Sequence, residues 1–147
     1  MKFNLIIDKS KDESVVVTAH ERNELTDKLE ELILQYSGDD KLPAYNEDEM
    51  KLLSFSEIEC ITTISGKVYA IDAKGIHYRI RRRLYELESS LPAYFIRINK
   101  SSIANETKLE KFTTSFSGAV DAVFKCGYTE YVSRRCFAQI KRRFDSK

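Results

Sequence analysis

Cysteine is scarce and badly placed for bonding. Cys60, Cys126 and Cys136 are odd in number, widely spaced and free of any CxxC pair. Neither a disulfide framework nor a zinc site is expected, and the three read as reduced filler side chains. Histidine is scarcer still. His20 and His77 have no second His or carboxylate at ligand spacing, so no metal site is expected. No window approaches the roughly 18–20 apolar residues needed to span a bilayer. Met1 to Asn4 leads into only a short apolar run, unlike a signal peptide. A cytoplasmic protein is the expectation. The sequence also lacks a P-loop, GxGxxG and GxSxG. Neither His sits in an acid–base or nucleophile motif. No enzymatic activity and no cofactor are expected.

What is present fits one ordinary domain, or a domain with a small appendage. At 147 residues with 42% apolar and 32% charged side chains, the chain has the composition of a globular rather than a disordered protein. The formal net charge of +1 conceals an asymmetry. Residues 1–50 hold 6 Lys/Arg against 13 Asp/Glu, a net of −7, whereas residues 51–147 hold 18 against 10, a net of +8. A basic part of this size calls for an anionic partner: nucleic acid, an anionic membrane surface, or the acidic segment of the same chain.

Two textures follow one another along the chain. Lys2 to Asp8 and Val15 to Ala19 read as strands, from the alternation of Phe3, Leu5 and Ile7 and from the β-branched run. Leu25, Leu29, Leu32, Ile33 and Tyr36 then recur at helical spacing over Arg22 to Tyr36, and Gly38 is placed for a left-handed cap. Residues 1–38 therefore predict an acidic β-β-α unit that must dock to be stable. Asp39 to Pro43 reads as a connector. From residue 43 to 147, short strands alternate with turns: Glu49–Phe55, Ile58–Ile64, a turn at Ser65-Gly66-Lys67, Val68–Asp72, a turn at Ala73-Lys74-Gly75, and Ile76–Ile80. A short helix over Arg81–Leu91 follows, with Leu84, Leu87 and Leu91 as its buried stripe. Strands at Leu109–Thr114, Ala119–Phe124 and Glu130–Val132 lead to a last helix. Ser133 caps that helix, and Phe137, Ile140 and Phe144 form its apolar stripe.

One stretch stands out, Phe95-Ile96-Arg97-Ile98-Asn99-Lys100-Ser101-Ser102-Ile103-Ala104-Asn105. Its first half alternates like a half-buried strand. Its polar members are donor-rich and acid-free, which suits phosphate oxygens and base edges. An ordinary edge strand with a solvated basic face reads the same way. Arg81-Arg82-Arg83 is open to the same two readings, phosphate grip or solvated helix start.

The succession of Ile58–Ile64, Gly66-Lys67-Val68, Leu84-Tyr85-Glu86-Leu87, Leu91-Pro92, Phe95-Ile96-Arg97-Ile98-Asn99-Lys100-Ser101, Ile103-Ala104-Asn105 and Tyr131-Val132-Ser133-Arg134-Arg135 resembles the LytTR DNA-binding domain. That family shows a leucine-rich "LxxLexxLp" helix, then "FxRvhRSyivN", then "xvSRry". The match covers residues 43–145. The resemblance implies an α+β, mainly β fold: antiparallel sheets with short helices that read DNA through loops rather than a recognition helix. Carried over by position, the DNA-binding residues are Lys67, Asn99, Lys100 and Arg134, with Ser101 and Arg135 as phosphate contacts. The chain departs from the pattern in carrying Asn99-Lys100 where the family has His-Arg, and Thr62 where it has Glu. About 40 residues precede the match and read as the β-β-α unit, so neither a receiver domain nor phosphoacceptor control is expected. The expectation is a stand-alone bacterial transcription regulator that binds double-stranded DNA sequence-specifically as a homodimer on repeated half-sites. Regulators of this type are often restrained by a small membrane-bound inhibitor protein. A protein-interaction module that offers the same basic face to an acidic partner is the alternative. Single-stranded RNA binding would need stacking aromatics, for which Tyr128 and Tyr131 are candidates, although strand packing explains both.

Overall fold

Ten strands and three α-helices are found among the described residues. The computed structural model describes residues 2–11, 14–37 and 40–145. The helices are α1 (Glu24–Ser37), α2 (Leu84–Ser90) and α3 (Arg134–Asp145). Strands β1 (Lys41–Asn46), β2 (Glu49–Ser54), β3 (Ile58–Ile64), β4 (Lys67–Asp72), β5 (His77–Ile80), β6 (Phe95–Asn99) and β7 (Ser102–Asn105) form one sheet, in the order β2-β1-β5-β4-β3-β7-β6. Strands β8 (Leu109–Thr114), β9 (Val120–Phe124) and β10 (Thr129–Val132) form a second, in the order β10-β9-β8. Every strand pairing is antiparallel. The α+β, mainly β class read from the sequence is the class observed.

The centre of the large sheet, β3, β4 and β7, is buried on both faces, and a β-bulge divides its side chains between two cores. On β3, Ile58 and Cys60 would share a face under strict alternation. The register of β3 against β4 shifts between these residues, so Ile58 and Ile61 enter one core and Cys60 the other. The first core gathers Leu42, Leu53, Phe55, Ile80 and Ile103 beneath Leu84, Leu87 and Leu91 of the α2 segment. The second packs Cys60, Ile71, Ile98 and Ala104 against Val120, Ala122, Phe124 and Val132 of the small sheet, with Ile140 of α3 completing it. Burial pushes the Cys60 thiol well up from its ordinary range, which keeps it in the protonated form.

Two elements differ from the sequence reading. Residues 2–8 and 14–19 are not strands; no strand edge pairs with them, and Phe3, Ile6 and Val16 stand more than 80% exposed. The expected β-β-α unit is reduced to α1, whose span agrees with the periodicity; the cap expected at Gly38 lies outside the described residues. The expected connector at 39–43 runs into strand β1. Pro43 is tolerated there because its one register partner is Leu52 on β2, and β1 meets β5 only at Tyr45–Arg79. In the stretch 95–105 the alternating first half is a strand, as read, and the second half returns as another. The two halves pair as β6 and β7 around the Lys100-Ser101 turn.

Tyr94 packs on the first core beside Phe95, at 5.1 Å between ring centroids. Burial first, then the negative charges of Glu31, Asp40 and Glu30, push its hydroxyl up to about 12. An unfolded tyrosine ionises near 10. The resulting stabilisation is therefore complete below pH 10 and disappears as the pH climbs to about 12. The urea midpoint is expected to fall over that window, and to fall less steeply in Tyr94→Phe.

Candidate nucleic-acid interface

Antiparallel pairing brings loops distant in sequence to one end of the molecule. Thr62 on β3 registers with Ser102 on β7, so the β3–β4 turn and the β6–β7 turn leave the sheet together. The amide of Thr63 donates to the carbonyl of Ser101 at 2.8 Å and ties the two. The amide of Ser133 donates to Ile98 O at 2.9 Å, which sets the start of α3 beside the end of β6.

Each loop has a local reason for its shape. Ser65 and Gly66 take φ of +52° and +78°, the two positive values that a two-residue hairpin turn matched to strand twist requires. The turn proper is Ser65-Gly66, and Lys67 already pairs with Ile64 as the first residue of β4. The Lys100-Ser101 turn is held from three sides. Asn99 Oδ1 accepts from the Ser101 amide at 2.7 Å, Arg97 Nη1 donates to the Lys100 carbonyl at 2.8 Å, and Thr63 holds the Ser101 carbonyl. At the third loop Ser133 caps α3, its Oγ accepting from the Cys136 amide at 3.2 Å.

The six residues expected at the interface divide into two groups. Lys67, Lys100, Ser101, Arg134 and Arg135 are exposed at this end. Asn99 is buried, 9% exposed, and both ends of its amide are engaged: besides the Ser101 bond, Nδ2 donates to the Tyr131 carbonyl at 2.6 Å. The register shift of β6 between Arg97 and Asn99 turns it toward β10. Its amide joins the two sheets and braces the turn that displays Lys100. Asn99→Ala is expected to lower stability by about 1–2 kcal/mol, from the loss of two part-buried hydrogen bonds, and to weaken duplex binding as well. Urea unfolding and a binding titration on the same preparation check both.

Sequence reasoning missed the polar cluster beneath these loops. Glu130 Oε1 accepts from Thr62 Oγ1 at 2.7 Å, Ser102 Oγ at 2.9 Å and the Tyr128 hydroxyl at 3.0 Å, while Oε2 accepts from the Tyr131 amide at 3.0 Å. Burial, and after it the Glu130 charge, drives the Tyr128 hydroxyl well above its usual range. A signal was available: Glu130 lies two residues before buried Val132, on the face that β10 turns to the core. Tyr128 packs inward at 6.0 Å from Phe124 rather than standing free for stacking.

Comparison with known proteins agrees with this architecture. The LytTr DNA-binding domain family model matches residues 48–145. An uncharacterized HTH-type transcriptional regulator of Staphylococcus aureus strain NCTC 8325 is 31% identical over 144 residues, 97% of each chain. Its counterpart in the bovine strain RF122 matches at the same identity and coverage. A solved LytTr DNA-binding domain from Bacillus cereus superposes with a TM-score of 0.64 at 18% identity, covering 71% of this chain and 96% of that one.

Proposed function

The chain belongs to the LytTR DNA-binding domain family, and on that premise we propose that it is a transcription regulator reading duplex DNA sequence-specifically through its loop end. The observation that carries this reading is the convergence of Lys67, Lys100, Ser101, Arg134 and Arg135 on one end, exposed. They protrude from a turn, the first residue of β4 and a helix start, held by backbone bonds and by the Asn99 and Arg97 side chains. Lys100 and Arg134 suit guanine edges or phosphate, and Ser101 and Arg135 suit phosphate. Asn99 acts as the brace that aims Lys100. The net +8 of residues 51–147 supplies the long-range attraction. Loops rather than a recognition helix fit the geometry, because strands separate all three helices and no helix-turn-helix pair forms among the described residues.

We further propose that the chain acts in the cytosol as a homodimer on two half-sites. The support for pairing is the apolar surface that residues 2–8, 14–19 and α1 leave uncovered, including Phe3, Ile6, Val16 and Leu32. The same surface is the candidate contact for a small membrane-bound inhibitor protein. Titrating the full chain with duplex recovered by footprinting and with a scrambled duplex, across a salt series, tests the reading. Preference for the recovered sequence supports it; equal affinity at every salt overturns it.

A further inference from the structure

Register extends the loop end beyond the residues named so far. On β5, Ile80 pairs with Val68 of β4, one residue past Lys67. The chain leaving β5 therefore emerges beside Lys67, at the same end as Lys100 and Arg134, and it emerges as Arg81-Arg82-Arg83. All three are exposed. Arg81 lies over the Tyr45 ring at 4.0 Å from its centroid, which fixes the segment against β1. Arg97 and Arg143 are paired with Glu88 and Glu106, respectively. Arg82 and Arg83, by contrast, have no carboxylate within salt-bridge distance among the described residues. Glu86 is the nearest acid in sequence, and its Oε1 accepts from the Arg83 backbone amide at 3.3 Å, so it is engaged by the backbone.

Spacing then decides what these arginines can reach. From β5 across β4, β3 and β7 to β6 is four strand intervals, roughly 19 Å at ~4.8 Å each. A B-DNA major groove is about 12 Å wide. A duplex whose groove receives Lys100 and Arg134 therefore presents its backbone, not its base edges, at the β5 side. Two forked guanidinium groups there match phosphate oxygens.

We infer that Arg82 and Arg83 form a phosphate-binding flank that clamps the DNA backbone beyond the groove read by Lys100 and Arg134. This rests on the proposed duplex-binding function and adds to it a non-sequence-reading contact roughly 19 Å away. The flank sets strength and orientation of docking and leaves base preference unchanged.

The test uses the full chain and its Arg82→Ala/Arg83→Ala double variant. Each is titrated at several salt concentrations with a 30-base-pair duplex recovered by footprinting and with its scrambled counterpart. Two lost phosphate contacts make the slope of log K against log salt shallower by about 2, and lower affinity by about a hundredfold at 0.05 M salt. The loss is equal for both duplexes. Arg82→Lys/Arg83→Lys, which keeps the charge, restores the slope and guards against a folding artefact in the alanine pair. An unchanged slope overturns the inference, and so does a loss confined to the recovered duplex, which would make these arginines base readers. Failure of the wild-type chain to prefer the recovered duplex would instead overturn the function on which the inference rests.

Discussion

A chain carrying Lys100→Ala and Arg134→Ala together is expected to lose about a thousandfold in affinity for its preferred duplex, while its unfolding midpoint stays where it was. Both side chains are exposed, on a turn and at a helix start whose positions are set by other groups. Removing them therefore takes contacts from the DNA and none from the core. A well-placed pair to a base edge discriminates by about 1–3 kcal/mol. Two such contacts at the middle of that range sum to about 4 kcal/mol, and each 1.4 kcal/mol is tenfold. The loss should exceed that on scrambled duplex, where only the charge of the two residues counts. This separates them from Arg82 and Arg83, whose removal should weaken both duplexes alike.

The second large effect is on stability. Glu130→Ala is expected to lower it by about 2–3 kcal/mol, or roughly 10 °C in Tm for a chain of this length. The carboxylate is the common acceptor for groups from both sheets, Thr62 and Ser102 from one, Tyr128 and the Tyr131 amide from the other. Thr62 and Ser102 are 2% and 0% exposed, so water does not replace it freely. The loss has a ceiling. With one proton each, Thr62 and Ser102 cannot both donate to Glu130 and also bond one another across 2.7 Å. Without the carboxylate they pair with each other, and Tyr128 is left as the principal orphan. Glu130→Gln keeps an acceptor oxygen and loses the charge, so it should fall between wild type and alanine. Thermal scans of the three proteins order them.

These two sites show what was legible in the sequence. The meander β3–β5 and the hairpin turn at Ser65-Gly66 were readable because alternation and positive-φ residues are local signals. Lys100 and Arg134, the proposed reading pair, stand out only through the spacing of their motifs. What makes them neighbours is the β6–β7 hairpin and the bond of the Ser133 amide to Ile98 on β6, which join segments that no window of sequence contains. Asn99 has the polarity of a reading residue, and the register shift that leaves it buried with both ends of its amide engaged is a property of pairing that its own sequence does not carry. Residues 2–8 and 14–19 carry strand-like patterning, yet a strand exists only when an edge receives it, and no edge of the described sheets pairs with them. That mismatch is what makes their apolar surface the place to look for a second copy.

Genome-wide footprinting of the full chain beside its Arg134→Ala variant tests the central claim most directly. The account predicts discrete protected sites built from two repeated half-sites, lost in the variant. Protection spread evenly over the genome, or the same sites retained by the variant, would contradict it.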